Sequence, residues 1–385
     1  MYQTISACIR SGNTLIQQEV TNKVHLDLFP DSTRILLNKK YLSLTKTRLE
    51  KFYGHRKDIA NGLGISVCSL DHYLYGRRAI PLPVILKISK VLRIPIPVLE
   101  REASSIFLAS AKLKISDPCL PIIKDPIFYM IPIHLVCDGT KKSVYFQGKT
   151  ELISLFKLKL NHVFGNVETS LAKRKYSECY VLGASFLIPR FYNFLYPEID
   201  YKTKKLPISW LTLPTDYLLA MLVAFIIDEG YLYYGNHITI SNKSRHLHEY
   251  VLSICHKLGY RTGESFRSST GVYTTIIFDV KKLFENFSML QARFGSLVSM
   301  GYKETEGKRY LQISMRAGIN RYLKNGKERI VRSLEETPKG LSLKQLLFTV
   351  QLSKTTVTYH LKSLIQEGAV VKDKCKNTCL YKFKK

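Results

Sequence analysis

The sequence predicts an α+β protein of several domains, in which two similar helix-and-strand halves lie between two helical modules. Its 385 residues exceed a typical single domain of about 100–200 residues. Hydrophobic residues make up 45% of the chain, which is enough for buried cores and excludes a mostly disordered protein. The formal net charge of +28 favours a polyanionic partner, most commonly nucleic acid.

The features that bear on location indicate a reducing, aqueous compartment. The N-terminal segment lacks the apolar core and the small-residue cleavage site of a signal peptide. The longest apolar run, 218–227, is far shorter than the roughly 20 residues that cross a bilayer. The eight cysteines are scattered and form no CxxC pair, which suits reduced thiols better than a zinc site. We therefore expect a cytoplasmic, nucleoid-associated protein that does not contact membranes.

Changes of pattern divide the chain into five parts. Residues 1–46 form a variable lead-in, and residues 47–100 read as a compact helical unit. Three prolines in 101–127 indicate a linker or an extended approach strand. Residues 128–320 alternate between helical and strand patterns, and residues 326–385 return to short helices followed by a basic strand pair.

The first helical unit has the spacing of a helix-turn-helix. Gly64 ends one amphipathic helix, Ser66 is a good N-cap for the next, and Gly76 ends that second helix. The stretch resembles the Cro/C1 repressor-type helix-turn-helix family. The resemblance implies that the second helix faces the bases and that the arginines after it contact phosphate. The residues so implicated are Ser69, His72, Tyr73, Arg77 and Arg78. A three-helix bundle that binds protein is the alternative.

The C-terminal segment, 326–385, has the most specific fold pattern. Ser342 and Ser353 are placed to cap its second and third helices, Gly368 ends the third, and two strands follow. This order closely resembles a winged-helix domain. The segment carries 13 Lys and Arg against 5 Asp and Glu. The resemblance implies a groove-facing helix side (Lys354, Thr355, Thr358, Tyr359 and Lys362) and wing lysines along the DNA backbone (Lys372, Lys374 and Lys376). Some winged helices bind protein instead.

The central segment contains two similar halves. In each, an apolar helix ends in an acid and a glycine, as Asp138-Gly139 and as Glu229-Gly230. Each half continues in the order αββαββα, so we expect a pseudo-twofold pair. A helix C-terminus with an ordinary glycine stop is the alternative explanation. However, an acid is unfavourable at a helix C-terminus, and finding one in both halves favours a function.

These paired halves resemble the LAGLIDADG homing-endonuclease family, in which two such helices pack side by side and their last acids meet. The resemblance implies that Asp138 and Glu229 are catalytic, metal-binding acids, that Asp228 is an alternative metal ligand, and that Mg²⁺ is the cofactor if the protein is active. Two carboxylates that share divalent ions can activate water and stabilise the leaving oxygen in phosphodiester cleavage. The side chains expected to face phosphate or assist chemistry are Lys173, Arg174, Lys175, Arg261 and Arg267.

Two residues of the first half depart from the family pattern. Ile133 lies where a close crossing of helices requires a small residue. Pro132 lies inside the first apolar helix, where it costs about 3 kcal/mol unless the helix begins or kinks there. Only the pairing of the two halves makes the first motif persuasive.

Three functions are consistent with these patterns. The first is a metal-dependent, sequence-specific endonuclease that acts on double-stranded DNA. The second is a catalytically inactive transcriptional regulator that uses the same fold as a binding platform, which the flanking helical modules favour. The third is an RNA-binding or splicing-assisting protein. Because the two halves are unequal, we expect the central fold to close within one chain as a monomer.

Overall fold

The chain folds into a mixture of helix and sheet, 55% helical and 21% strand in the computed structural model, which confirms the α+β class. The structure describes residues 6–11, 14–19, 22–109, 112–141, 144–174, 178–233, 237–267, 269–320, 326–350, 352–375 and 378–384. Two units are present: Met1–Asp228 with Ser244–Leu258 and Leu290–Ser299, and Glu229–Lys243 with Gly259–Met289 and Met300–Lys385. No helix in the described part of the chain is long and apolar enough to cross a membrane.

The expected lead-in carries regular structure. Its strands are β1 (Ser6–Ser11), β2 (Thr14–Glu19), β3 (Lys23–Val24) and β4 (Thr33–Leu37). β1 and β2 form an antiparallel pair. A short 3-10 helix, Leu26–Leu28, follows β3, and its first backbone N–H donates to the buried carboxylate of Glu100 at 2.8 Å. The segment before residue 47 is therefore tied to the helical unit that follows it.

The helical unit is a block whose two ends meet. Its elements are α1 (Lys39–Tyr53), α2 (Arg56–Leu63), α3 (Val67–Leu74), β5 (Ile80–Pro81), α4 (Leu82–Leu92) and α5 (Ile96–Glu102). Leu37 at the end of β4 pairs with Ala103, the first residue of β6 (Ala103–Leu108). Next to this pair, the Asn38 backbone N–H donates to the Glu102 carbonyl at 3.0 Å. The block thus begins at Lys39, eight residues earlier than the sequence pattern indicates.

Residues 101–127, which we expected to be a linker or an extended approach strand, contain β6, β7 (Ile115–Pro118) and β8 (Ile122–Ile123). β6 pairs with both β4 and β7, while β8 pairs with β3. Buried Ile106, Ile115 and Ile122 anchor these strands. Pro118 ends β7, Pro121 lies in the bend before β8, and Pro126 is the first residue of the helix that follows, all positions where a missing backbone N–H is tolerated.

The first half follows as α6 (Pro126–Cys137), β9 (Val144–Gln147), α7 (Thr150–Phe164), β10 (Gly165–Val167), β11 (Ser170–Lys173), β12 (Tyr180–Gly183) and α8 (Leu187–Leu195). β10 adds to the edge of the earlier sheet, whose order is β10-β7-β6-β4-β5. The half's own sheet has the order β11-β12-β9. Among the described residues, the strand expected directly after α6 is reduced to one bridge, Gly139 to Tyr145.

The second half has the complete predicted order. Its elements are α9 (Thr215–Glu229), β13 (Gly230–Tyr233), β14 (His237–Asn242), α10 (Arg245–Lys257), β15 (Thr262–Arg267), β16 (Val272–Ile277) and α11 (Val280–Phe294). Its sheet has the order β13-β14-β16-β15. Strands β9, β12 and β11 of the first half follow the same order as β14, β16 and β15. The two halves are therefore alike in connectivity, and the first has a shortened edge.

The C-terminal segment has the winged-helix order of elements. After α12 (Tyr302–Asn320) come α13 (Gly326–Glu335), β17 (Leu341–Ser342), α14 (Leu343–Val350), α15 (Lys354–Gln366), β18 (Val370–Cys375) and β19 (Thr378–Phe383). The three strands form a sheet of order β17-β19-β18. Ser353 caps α15, since its hydroxyl accepts from the Thr356 backbone N–H at 3.1 Å. Buried Ile330, Leu346 and Leu361, one from each helix, centre its core.

Helix α6 passes through Pro132 without ending there. Proline has no N–H to donate to the carbonyl four residues earlier, which belongs to Phe128. The hydroxyl of Tyr192 on α8 donates to that carbonyl at 2.7 Å, and the Tyr192 side chain is fully buried. A hydroxyl from a neighbouring helix thus replaces the hydrogen bond that Pro132 removes.

We predict that Tyr192→Phe lowers the free energy of unfolding by about 1–3 kcal/mol, because it leaves a buried carbonyl without a donor. In a Pro132→Ala background the alanine N–H supplies the missing donor, so Tyr192→Phe should cost less there. Urea unfolding of the two single variants and the double variant measures this coupling. Strictly additive effects would contradict the assigned role of Tyr192.

Candidate functional sites

The side chain of Asp228 is at the centre of a buried polar network in the first unit. Its carboxylate has no exposed surface. Tyr145 donates its hydroxyl to Oδ1 at 2.6 Å, and His134 Nδ1 lies 2.9 Å from Oδ2. The Gln147 amide lies 3.2 Å from Oδ1 and also contacts the Tyr145 hydroxyl. Asp228 is therefore surrounded by donors from α6 and β9.

Burial is the main influence on the protonation of the titratable side chains in this network. Burial, together with the positive charge of Lys159, holds the pKa of His134 well below its usual range, so the imidazole is neutral. A neutral ring donates from Nδ1 to Asp228 and leaves Nε2, which has no hydrogen-bond partner among the described residues, as an acceptor. Burial lowers the pKa of Lys159 to about 8, while the charge of Asp228 opposes that shift. Lys159 is thus a buried cation that serves as counter-ion for Asp228.

Gln147 links this network to Asp138, the acid that ends α6. Its amide nitrogen donates to Asp138 Oδ2 at 2.7 Å. The Asp138 side chain therefore has a fixed orientation although the residue is only half-buried. Gly139 is required beside it, because an added Cβ would come within 2.6 Å of the Leu135 backbone. Sequence patterns did not single out Gln147, since its role depends on a fold that brings β9 beside the end of α6.

The second half repeats this arrangement with different residues. Glu229, which ends α9, accepts a hydrogen bond from the amide of Asn242 on β14, the strand that corresponds to β9. A lysine also contacts the backbone at each helix end. Lys204 donates to the Cys137 carbonyl at 3.1 Å, and buried Lys303 donates to the Gly230 carbonyl at 2.8 Å. Each acid therefore has an amide that orients it and a cation that offsets the helix dipole.

The three acids differ in their fitness to hold a metal ion. Both oxygens of Asp228 accept hydrogen bonds and its side chain is buried, and its role as an alternative metal ligand stays a prediction. Asp138 and Glu229 are half-exposed carboxylates, which are the hard oxygen donors that Mg²⁺ prefers. Asp138 belongs to the first unit and Glu229 to the second. Within the described residues, no group of three His, Cys, Asp or Glu side chains could hold a metal ion.

Four of the five basic residues expected beside the central strands are described and exposed, but their surroundings differ. Lys173 lies over the Tyr180 ring, and Arg174 lies 4.9 Å from the ring centre of Phe146. Arg261 forms an ion pair with Asp279 at 2.8 Å, and hydrogen bonds from its backbone and side chain hold the pKa of Asp279 below its usual range. Arg267 is exposed at the end of β15. Lys175 lies outside the described residues.

The predicted base-facing residues of α3 are only half-exposed. Ser69 accepts a hydrogen bond from the capping hydroxyl of Ser66 at 2.9 Å. His72 has a buried Nδ1 without a partner among the described residues, and Tyr73 is half-buried. Arg77 and Arg78 are exposed, as a phosphate contact requires. Helices α2 and α3 thus have the expected turn, while the base-contacting roles stay predictions.

The predicted groove face of α15 is a stripe of exposed residues. Thr355, Tyr359 and Lys362 fall on one side of the helix, and Tyr359 is 70% exposed. Lys354 and Thr358 are half-buried, and Lys354 contributes, after burial, to lowering the pKa of His237 on β14. On the wing, Lys372 is exposed. The Lys374 side chain and Lys376 lie outside what the structure describes.

Comparison with known proteins identifies the C-terminal segment. Residues 329–374 match the family model of the IclR helix-turn-helix domain. That match and the observed order of helices and strands agree on a winged helix-turn-helix domain. That family match does not extend to α2 and α3, and their assignment to the Cro/C1 type stays a prediction. No curated protein matches the chain.

Several solved structures resemble part of the chain at low TM-scores. The homing endonuclease I-DmoI in complex with DNA and Mn is 19% identical, with a TM-score of 0.31, over 42% of this chain and 93% of that one. Its complex with DNA and Ca is 18% identical, with a TM-score of 0.32, over 43% and 88%. Full-length DUF199/WhiA from Thermotoga maritima is 13% identical, with a TM-score of 0.32, over 63% and 90%.

We predict a pH-dependent stability contribution from Lys159. Because its folded pKa is lowered to about 8, the unfolded chain holds more protons on this side chain from about pH 8 to about 10.4. This contribution therefore raises stability as pH rises through that window. In urea unfolding, this contribution should raise the free energy of unfolding of the wild type by up to about 3 kcal/mol between pH 7 and pH 10. Lys159→Met should lack this gain. Lys157→Met, at an exposed position on the same helix, should follow the wild type. Parallel curves for Lys159→Met would contradict the prediction.

Proposed function

We propose that this protein binds double-stranded DNA in a sequence-specific manner and that its winged helix inserts α15 into the major groove. The observation that carries the proposal is the exposed stripe Thr355, Tyr359 and Lys362 on the third helix of the domain. A hydroxyl, a phenol and an ammonium group can all reach base edges or adjacent phosphates. The opposite side of α15, with Val357, Leu361 and Leu364, is buried in the domain core, which fixes the direction of the stripe.

The charge distribution supports duplex DNA as the partner. The formal charge of +28 includes 13 Lys and Arg against 5 Asp and Glu in residues 326–385. Phosphate neutralisation by such side chains releases counter-ions and supplies most of the sequence-independent affinity. The exposed wing residue Lys372 and the exposed Arg77 and Arg78 after α3 are suited to this role. Two helical modules on one chain would then bind with the advantage of high effective concentration.

The favoured role is that of a DNA-binding regulator. In support, the carboxylate of Asp228 is committed to hydrogen bonds with His134, Tyr145 and Gln147 and so serves the fold. DNA binding by the two helical modules requires no metal ion. The central halves in this proposal act as the platform that connects those modules.

Metal-dependent strand cleavage is a second candidate, favoured by one observation. Asp138 and Glu229 end equivalent helices, and each is oriented by an amide from the equivalent strand, Gln147 and Asn242 respectively. A glycine can end a helix without an acid before it, and an acid is unfavourable there, so the repeated placement of half-exposed acids favours a function. Mg²⁺ would supply charge neutralisation and activation of water at these carboxylates.

We expect the α15 stripe to determine DNA affinity. A duplex site should first be selected from randomised DNA by the wild-type chain. Lys362→Ala should then weaken binding to that site about 5- to 10-fold and lower the slope of log K against log salt by about 0.9. Tyr359→Ala should weaken the selected site more than a scrambled duplex. Lys339→Ala, which removes an exposed charge outside α15, is the matched control. Wild-type affinity in both stripe variants would refute the proposed groove contact.

The same duplexes test the second candidate. After incubation with Mg²⁺, cleaved product that is present for the wild type and lost in Asp138→Asn and in Glu229→Gln would establish a nuclease. Selected binding with no cleavage in Mg²⁺ or Mn²⁺ is the outcome that we expect for a regulator. Binding by both variants at wild-type affinity confirms that they are folded.

A further inference from the structure

Three basic side chains gather around Tyr75 at the end of α3. Lys46 from α1 donates to the Tyr75 hydroxyl at 3.1 Å, and Arg56 at the start of α2 donates from Nη2 at 3.0 Å. The guanidinium of Arg77 lies over the same ring, 5.6 Å from its centre. We call these four residues, Lys46, Arg56, Tyr75 and Arg77, the Tyr75 cluster. It brings together residues from α1, α2 and the segment after α3.

The hydrogen bonds of the cluster leave a donor available to a ligand. The phenol oxygen accepts from Lys46 and from Arg56, which uses its two lone pairs. Its own hydrogen has no acceptor among the described residues. These two donors, and the charges that they carry, lower the pKa of Tyr75, because neighbouring positive charge favours the phenolate. An anion placed there would meet the phenol hydrogen and several N–H groups at once.

The positive charge of the cluster is only partly neutralised. Arg56 forms an ion pair with Asp71 at 3.0 Å, and Lys46 lies 4.0 Å from Glu50. Arg77 has no carboxylate within ion-pair distance among the described residues and is exposed. Tyr75 itself is 48% exposed. A contact whose only purpose was to hold helices together would need neither the third cation nor an open position.

We propose that the Tyr75 cluster binds one backbone phosphate of double-stranded DNA. The inference rests on the proposed DNA-binding function, and it adds Lys46, Arg56 and Tyr75 to the phosphate role for which Arg77 is suited. Phosphate oxygens accept several hydrogen bonds, and charge-assisted donors such as guanidinium and ammonium groups form the strongest of these. A phosphate contact at the end of α3 would fix the orientation of that helix on the duplex without reading sequence.

The test measures binding of the full chain to a mixed-sequence duplex by fluorescence anisotropy between about 50 and 200 mM NaCl. Arg77→Gln removes a charge but none of the hydrogen bonds in the cluster. It should weaken binding about 5- to 10-fold and lower the salt slope by about 0.9. Tyr75→Phe keeps the ring and loses the hydroxyl, so it should weaken binding about 3- to 10-fold with less change in slope. Lys90→Gln, at an exposed position on α4 of the same block, should bind like the wild type.

The outcomes separate this inference from the proposed function. If Lys362→Ala weakens binding while Arg77→Gln and Tyr75→Phe match the wild type in affinity and slope, the Tyr75 cluster is not a phosphate site and the winged-helix proposal stands. A lowered thermal midpoint for these two variants with unchanged DNA binding would show a purely structural cluster and likewise overturn the inference. A wild-type chain that binds no duplex would overturn both proposals.

Discussion

The buried carboxylate of Asp228 is the constraint around which α6, β9, α7 and the end of α9 are arranged. A charge without contact with water is tolerated only when hydrogen bonds and an opposite charge replace its hydration. The hydrogen bonds come from Tyr145, His134 and Gln147. The opposite charge comes from Lys159 on α7. Because these residues come from α6, β9 and α7, the position of one charge fixes how a strand and two helices meet the end of α9.

The same electrostatic problem recurs at each acid-glycine junction and is solved in the same way. The partial negative charge at a helix C-terminus repels a carboxylate, so the acid needs compensation nearby. In both halves an amide on the equivalent strand binds the acid, and a lysine binds an adjacent main-chain carbonyl. These repeated contacts extend the likeness of the halves from connectivity to chemistry, beyond the acid and glycine that the sequence repeats.

Local signals were readable from the sequence, and contacts between distant residues were not. Ser66 and Ser353 cap helices as predicted, since a cap involves residues only three apart. In contrast, Tyr192 compensates Pro132 from another helix, and no spacing rule connects them. The burial of Asp228, whose metal role stays a prediction, could not be read either, because exposure depends on tertiary packing. For residues 101–127 the prolines left a linker and an extended strand both open, and the pairing of β6, β7 and β8 with distant strands could not be read.

The return of the chain at Ala103 to the place where it left at Leu37 has a mechanical consequence. Neighbouring antiparallel strands lie about 5 Å apart, so the two connections of the block from Lys39 to Glu102 to the sheet, through β4 and β6, lie side by side. Tension applied to the block would be shared by β4 and β6, which would be pulled in the same direction along their lengths, so no single connector would carry it. The block is therefore an insertion between two paired strands of the sheet, and the chain continues from the block to the central halves through β6.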